Sequence, residues 1–462
     1  VYDNDVLRPA SRRLRRNAHG PVNPTAASGI RPFCRFKYAF IPLLVCSALV
    51  AQTLADVRKL ADAGSLDAQF AMGGYYENGQ GGAPQNYEEA MRWYRRAADK
   101  GHAPSMVNLG YMYGHGEGVP QDLAEMRRWY LKAADKNHPS AQANLGYMYA
   151  HGVGVSQDFT EAAKWYRKSA EQGVVLAQQN LGFQYFNGLG VPQDFVESAN
   201  WYRLAAQQGD PVSMYNFGAA FYYGRGVHKD LGMAAIWYRA AAEKNYPDAC
   251  ASLGAMFEDG IGVPRDPVEA VVWYRRAADQ GFATAQFALA EMYLNGKGVA
   301  KDPAEAVKWY RKLADQPDYS SVQLTLGQIY EAGTGVAQDF AEAARWYRKA
   351  AGQDDALAAV SLGDLYAEGR GVKQDDSEAA RWYRRAAERG HPAGQYRLAH
   401  AYLNSRGVSG DPVQGYAWLE LAASRDAAKY GAERDRVASQ LSPKQLADAQ
   451  KQVREFQAKR GQ

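Results

Sequence analysis

The chain has 462 residues, 47% hydrophobic and 23% charged, with 45 Gly, 31 Tyr and 10 Trp; that balance belongs to a folded protein and excludes a disordered one. The formal charge of +4 arises in residues 1–55, where Arg8, Arg12, Arg13, Arg15, Arg16, Arg31, Arg35 and Lys37 face only Asp3 and Asp5; the rest holds 46 bases against 48 acids. A near-neutral body excludes a nucleic-acid footprint, which needs a concentrated basic face.

Residues 1–55 read as a basic leader ending in an export signal. Arg35 and Lys37 precede an apolar run from Tyr38 to Val50, and Thr53-Leu54-Ala55 supplies the small residues expected before a cut after Ala55. The run holds 13 residues, short of the ~20 that a membrane-spanning helix needs. The expectation is a periplasmic body that meets the membrane only through its signal. Residues 1–34 contain no Met and are expected to precede the natural start. Cys34 and Cys46 lie in this leader, so the body keeps Cys250 alone and no disulfide framework. Cys250 stands where other units place Gln142, Gln178 and Gln286, and is expected to be a partly buried small residue.

Residues 56–426 repeat themselves. Val57–Gly64 reads as an orphan second helix opening a stack, and then all ten tryptophans fall on one ladder: Trp93, Trp129, Trp165, Trp201, Trp237, Trp273, Trp309, Trp346, Trp382 and Trp418. Eight intervals are 36 residues and one is 37, the longer one carrying Pro317-Asp318. Within one unit, Ala141, Leu145 and Tyr149 are four apart and predict one stripe of a helix, with small Gly146 beside it. Gly152-Val153-Gly154-Val155 breaks that helix. Asp158 starts the next, and Glu161 three residues on predicts a reciprocal capping box. The same spacing recurs at Asn86/Glu89, Asp122/Glu125, Asp194/Glu197, Asp266/Glu269, Asp302/Glu305, Asp339/Glu342 and Asp375/Glu378. The second helix carries Ala162, Trp165 and Tyr166 and ends at Gly173. One such pair cannot bury its apolar stripe alone, whereas stacked neighbours can. The expected fold is all-α, an α-α superhelix or solenoid of about ten 36-residue helix-turn-helix repeats. Residues 427–462 leave the pattern and, with Ser442-Pro443 opening a fresh helix, are expected to be C-terminal capping helices.

The motifs Ala-x-x-x-Leu-Gly-x-x-Tyr, Gly-x-Gly-Val, Asp and Ala-x-x-Trp-Tyr-x-x-Ala-Ala closely resemble the Sel-one-like repeat family, relatives of tetratricopeptide repeats. The resemblance covers residues 56–426 and implies a right-handed superhelix of helix pairs that acts as an adaptor in protein complexes. It also implies, for bacterial members, export and work in envelope, polysaccharide or host-interaction systems. One cysteine-rich branch is associated with penicillin binding and β-lactamase activity; this chain lacks that branch's paired cysteines, so the activity is not carried over.

No residue set suggests catalysis, a cofactor or a metal. Gly-x-Gly-Val recurs in eight units, at Gly116–Val119 and its equivalents, always between two helices, and so reads as a turn and not a phosphate loop. His115/His151 and His102/His138 are each 36 apart, which places them at least ~8–10 Å apart on neighbouring helices and is too far for shared zinc ligation. No Ser elbow or Cys/His pair comes into register. Arg95-Arg96, Arg275-Arg276 and their equivalents read as a solvated outer stripe. One surface stands out. With Leu145 and Tyr149 pointing inward, positions 144, 147, 148 and 151 are expected to face away, and in curved solenoids the first helices line the concave side. That set reads Asn108, Asn144, Asn180 and Asn216; Tyr111, Tyr147 and Phe183; then His115, His151, Asn187 and Tyr223. Asn offers a donor and an acceptor to a peptide backbone, and flat aromatics give contact area at low entropic cost. In later units the row turns acidic, at Glu291, Glu331, Asp364 and Glu368. The function expected is a non-enzymatic scaffold that binds a protein or peptide partner there. The alternatives are a hydrolase of cell-wall or β-lactam substrates and a carbohydrate-binding element using Tyr111, Tyr147 and Tyr223.

Overall fold

The structure, a computed structural model, describes residues 53–315 and 319–460. Among them are 23 helices and no strand, and the fold is an all-α solenoid of tandem helix pairs. After α1 (Leu54–Asp62), the first helices of ten repeats are the even-numbered α2 (Leu66–Asn78), α4 (Ala103–His115), α6 (Pro139–His151), α8 (Val175–Asn187), α10 (Pro211–Tyr223), α12 (Pro247–Asp259), α14 (Ala283–Asn295), α16 (Ser320–Ala332), α18 (Ala356–Glu368) and α20 (Pro392–Leu403). The second helices are the odd-numbered α3 (Tyr87–Ala98), α5 (Leu123–Asp135), α7 (Phe159–Glu171), α9 (Phe195–Gln207), α11 (Leu231–Glu243), α13 (Pro267–Asp279), α15 (Pro303–Ala314), α17 (Phe340–Gly352), α19 (Asp376–Glu388) and α21 (Pro412–Ala423). Two helices close the chain, α22 (Ala427–Ala438) and α23 (Pro443–Arg460). The expected leader lies outside the described residues except for Thr53, Leu54 and Ala55, which form the cap and first turn of α1.

The helices fall into two compact units that divide at Asp266, α1–α12 and α13–α23. In the first, each first helix packs on the second helix before it in the chain, α2, α4, α6, α8 and α10 pack also on the second helix of their own repeat, and α6 touches α8 directly. The second unit repeats the scheme, with α18 beside α20. Leu145 and Tyr166 are 0% and 1% exposed, and burying one such side chain stabilises by about 1.5–3 kcal/mol. The tryptophans run from buried to half-buried, and none is exposed. In the second unit, α23 closes the stack by laying Phe456 edge-on against Trp418, with ring centroids 5.0 Å apart.

Glycine permits the close approach. A Cβ on Gly146 would lie 2.5 Å from the Tyr166 ring, so only Gly lets α7 pass its tyrosine across α6. The expected capping boxes form in one direction only. Asp158 accepts from the amides of Thr160 and Glu161, but its own amide donates to the Tyr149 carbonyl at 2.8 Å. The turn thus satisfies the amide that Glu161 was expected to reach, and Glu161 pairs with Lys164 instead. Thr53/Asp56 and Ser442/Gln445 do form the reciprocal arrangement.

Candidate functional site

The side chain that shapes the first-helix face comes from the second helix. In the first nine repeats a tyrosine follows the tryptophan, where the tenth has Leu419, and it crosses beneath its first helix with its hydroxyl toward the ninth or twelfth residue of that helix. What it finds there differs along the chain. Tyr94 donates to Glu77 at 2.7 Å, Tyr347 to Glu331 at 2.6 Å, Tyr383 to Asp364 at 2.7 Å, and Tyr310 to Glu291. In the third to fifth repeats the equivalent residues are Tyr147 and Ala150, Phe183 and Phe186, and Ala219 and Tyr222, none of which is an acid. The hydroxyls of Tyr166, Tyr202 and Tyr238 are buried with no hydrogen-bond partner among the described residues. Burial pushes all three well up, so each stays protonated and able to donate.

The expected outward row is only partly outward. Asn108, Tyr111, His115, Asn144, Tyr147 and Phe183 are half-buried, and His151, Asn187 and Tyr223 are exposed. Asn180 and Asn216 are buried, at 8% and 4% exposure. Met148, expected to face away, is buried at 2%. Met148 joins the core with Trp129 and Leu145, and Asn216 lies in a hollow shared with Phe186, Phe195 and Tyr202. Several of the polar groups serve their own helix. Asn180 donates to the Leu176 carbonyl at 2.8 Å, and Asn187 to that of Phe183 at 2.9 Å. His115 and His151 bond through Nδ1 to the carbonyls of Tyr111 and Tyr147 and stack on those same rings, with centroids 3.8 and 4.1 Å apart. Asn216 is the exception: neither its Oδ1 nor its Nδ2 finds a partner among the described residues.

Asn216 and Tyr202 line one small hollow, together with Phe186, Phe195, Tyr223 and Arg225. Arg225 comes from the turn after α10 and spreads over the rings of Phe186, Phe195 and Tyr223, 5.3, 5.7 and 5.1 Å from their centroids. Of these six residues, the sequence pattern points to Asn216 and Tyr223 and passes over the rest. The available signal was the absence of acid at the ninth and twelfth first-helix positions of the third to fifth repeats.

The basic residues after each tryptophan-tyrosine are not simply a solvated stripe. Arg348 bonds the Tyr366 hydroxyl at 2.8 Å and Arg384 that of Tyr402 at 2.8 Å, with Arg95 and Arg275 likewise on Tyr113 and Tyr293. The next residue covers the indole: Arg96 lies 4.5 Å from the centroid of Trp93 and Arg276 4.6 Å from that of Trp273. Cys250 is fully buried, with its thiol 3.6 Å from the Ala242 carbonyl. Gln178 and Gln286 cap the preceding helix in the same way. Among the described residues, no three His, Cys, Asp or Glu side chains gather as metal ligands would, and no helix is long and apolar enough to cross a membrane.

A family model described as Sel1 repeat matches ten consecutive segments, from residues 66–102 through 392–426. Among solved structures, the chain is similar to c5321, described as a protective antigen present in uropathogenic Escherichia coli strains and displaying an SLR fold, at 36% identity over 88% of this chain and 94% of that one, with a TM-score of 0.60. It is also similar to a Sel1 repeat protein from Oxalobacter formigenes, at 31% identity over 76% of this chain and 99% of that one, with a TM-score of 0.54. No curated protein sequence matches.

Proposed function

Because the chain belongs to the Sel1 repeat family, whose members generally act as protein-interaction scaffolds, we propose that it is a non-enzymatic scaffold that holds an extended peptide segment of a partner along the first helices of its second to fifth repeats. The observation that carries this reading is the row of buried polar groups without partners: the hydroxyls of Tyr166, Tyr202 and Tyr238 and the Asn216 carboxamide. A buried polar group left unpaired costs about 1–3 kcal/mol, and a peptide backbone supplies both the acceptors and the donors those groups need. Around them, the stacked pairs Tyr111/His115 and Tyr147/His151 offer flat, pre-ordered contact area. In the second unit the equivalent hydroxyls of Tyr310, Tyr347 and Tyr383 already meet Glu291, Glu331 and Asp364, so that stretch is not assigned to the same ligand.

The test pans a displayed library of random peptides against the full chain and measures the winners by calorimetry. Asn144→Leu with Tyr147→Ala is expected to weaken them at least tenfold at an unchanged melting temperature. Binding unaffected by the pair, or lost only in step with stability, overturns the assignment. Export to the periplasm is part of the proposal, supported by the run from Tyr38 to Val50 behind Arg35 and Lys37. A mature chain that retains residues 38–50 when isolated from its cells would refute it.

A further inference from the structure

In the first unit, the hollow between α8 and α10, floored by α9, has a chemistry that its counterpart in the second unit explains. Arg225 is held firmly at its mouth. Gly224 ends α10 in the left-handed conformation, φ 69°, and a Cβ on Gly226 would strike the Phe195 carbonyl, so the turn is seated on α9. The guanidinium lies over three rings, and it pairs with no carboxylate among the described residues. Behind it stand Tyr202 and Asn216, 1% and 4% exposed, with the Tyr202 hydroxyl and both Asn216 side-chain polar atoms unpartnered.

The turn after α18 carries Arg370 at the equivalent position, lying 5.0 Å from the centroid of Phe340 as Arg225 lies over Phe195. There the arginine is neutralised from within. Glu331 of α16 accepts the Tyr347 hydroxyl at 2.6 Å and sits 3.4 Å from the Arg370 guanidinium. Glu368 approaches the Arg370 Nε at 2.6 Å, an ion pair too bent to count as a hydrogen bond. Phe186 holds the place of Glu331 in α8, and Tyr223 that of Glu368 in α10. The first unit therefore keeps the tyrosine and the arginine, adds Asn216 where α18 has Ser361, and replaces both acids with aromatic rings.

We propose that this hollow binds a carboxylate borne by an extended peptide, which takes the position that the Glu331 carboxylate holds in the second unit. The inference rests on the peptide-binding reading above. The two carboxylate oxygens receive the Tyr202 hydroxyl, the Asn216 Nδ2 hydrogens and the Arg225 guanidinium, charge-assisted bonds made where little water competes. The Asn216 Oδ1 remains an acceptor and takes a backbone N–H beside the carboxylate, a group that a free anion such as phosphate lacks. The hollow has room for about one water-sized group, which admits one carboxylate oxygen while the other stays at the mouth with Arg225. Asp210, the acid that acts on Tyr202, is occupied at the start of α10, where it accepts from the Ser213 amide at 2.7 Å.

Calorimetry of the full chain with three probes tests this: acetyl-tetraalanine with a free C-terminus, the same peptide as its carboxamide, and an amidated tetrapeptide carrying one internal aspartate. A carboxylate probe is expected to bind at least about tenfold tighter than the neutral amide. The free acid winning marks a chain terminus as the ligand, and the aspartate peptide winning marks an acidic side chain. Arg225→Gln should erase the preference. Phe186→Glu should supply the missing carboxylate internally, abolishing binding while raising the melting temperature. Three probes that bind alike, or not at all, overturn the proposal, as does a preference that survives both folded variants. If the carboxylate preference fails while the Asn144/Tyr147 variant still loses its selected peptides, only this inference falls.

Discussion

Replacing Tyr202 with Phe and Tyr347 with Phe performs one chemical edit at two equivalent places, and the two results should differ in sign. At Tyr347 the hydroxyl donates to the Glu331 carboxylate at 2.6 Å, and a hydrogen bond to a charged group contributes about 1.5–3 kcal/mol. Glu331 keeps 28% side-chain exposure and its Arg370 neighbour, which places the expected loss near the lower end, about 1.5 kcal/mol. At Tyr202 the edit deletes a buried hydroxyl with no protein partner, so stability should hold or rise by up to about 1 kcal/mol. Stability in a repeat array is a sum over neighbouring interfaces, so a whole-chain melting temperature does not say which repeat has changed. Native-state hydrogen exchange resolves it, because about 1.4 kcal/mol is a tenfold change in protection. Tyr347→Phe should cut protection in α16 and α17 roughly tenfold, and Tyr202→Phe should leave α8 and α9 unchanged or better protected. Equal losses at both sites would mean that the Tyr202 hydroxyl has a strong partner, and the reasoning behind the binding face would fail.

Three further outcomes are expected. Leu145→Ala, at a side chain 0% exposed, should cost about 2–5 kcal/mol, read as lost exchange protection concentrated in α6 and α7 and their stacked neighbours. Gly146→Ala forces a Cβ to 2.5 Å from the Tyr166 ring and should lower the denaturation midpoint, whereas Gly352→Ala, with nothing within 4 Å of the new Cβ, should raise stability by about 0.5–1 kcal/mol. The histidines before α4, α6 and α20 carry a pH dependence. Burial lowers His102, His138 and His391 below their ordinary 6.5, against the pull of Asp67 on His102 and of Asp355 on His391 and with the charge of His102 adding to the effect on His138. The unfolded chain then binds more protons as pH drops through 6.5, so their contribution is complete above that value and is lost toward the lowered folded values. Melting followed from pH 7.5 to pH 5 should show the decline, with a shallower slope in His138→Asn.

Period, helix ends and core were legible because each rests on a residue with few alternatives. An indole every 36 residues, a glycine where a helix must reverse, and an aspartate where four amides need an acceptor can be read without coordinates. The site was less legible because its members are separated in sequence and defined by their partners. Helical spacing places Asn180 and Asn216 on the outward face of α8 and α10, but spacing does not reveal that Asn180 turns back onto the Leu176 carbonyl or that Asn216 shares a hollow with Phe186, Phe195 and Tyr202. Arg225 looks like any residue of a glycine turn until Phe186, from the previous repeat, is found under it. The Asp/Glu spacing suggests reciprocal caps, yet the Asp158 amide is taken by Tyr149 of the preceding helix, a contact that local pattern cannot supply.

The same tyrosine therefore meets two fates, and the difference bears on function more than on fold. Where Glu331 or Asp364 receives it, the hydroxyl stabilises the stack and the face above is electrostatically complete. Where Phe183, Phe186 or Tyr147 stands instead, the hydroxyl is buried at a cost and adds nothing to its own repeat. Phenylalanine would fill the same space across Gly182 without the polar group, since Tyr202 makes its core contacts through its ring. A solenoid tolerates such local deficits because its stability is a sum over neighbouring interfaces and not a single balance. Tyr166, Tyr202 and Tyr238 are thus donors kept in place without an internal acceptor. An acceptor supplied by a partner recovers at binding the free energy that folding left unrealised.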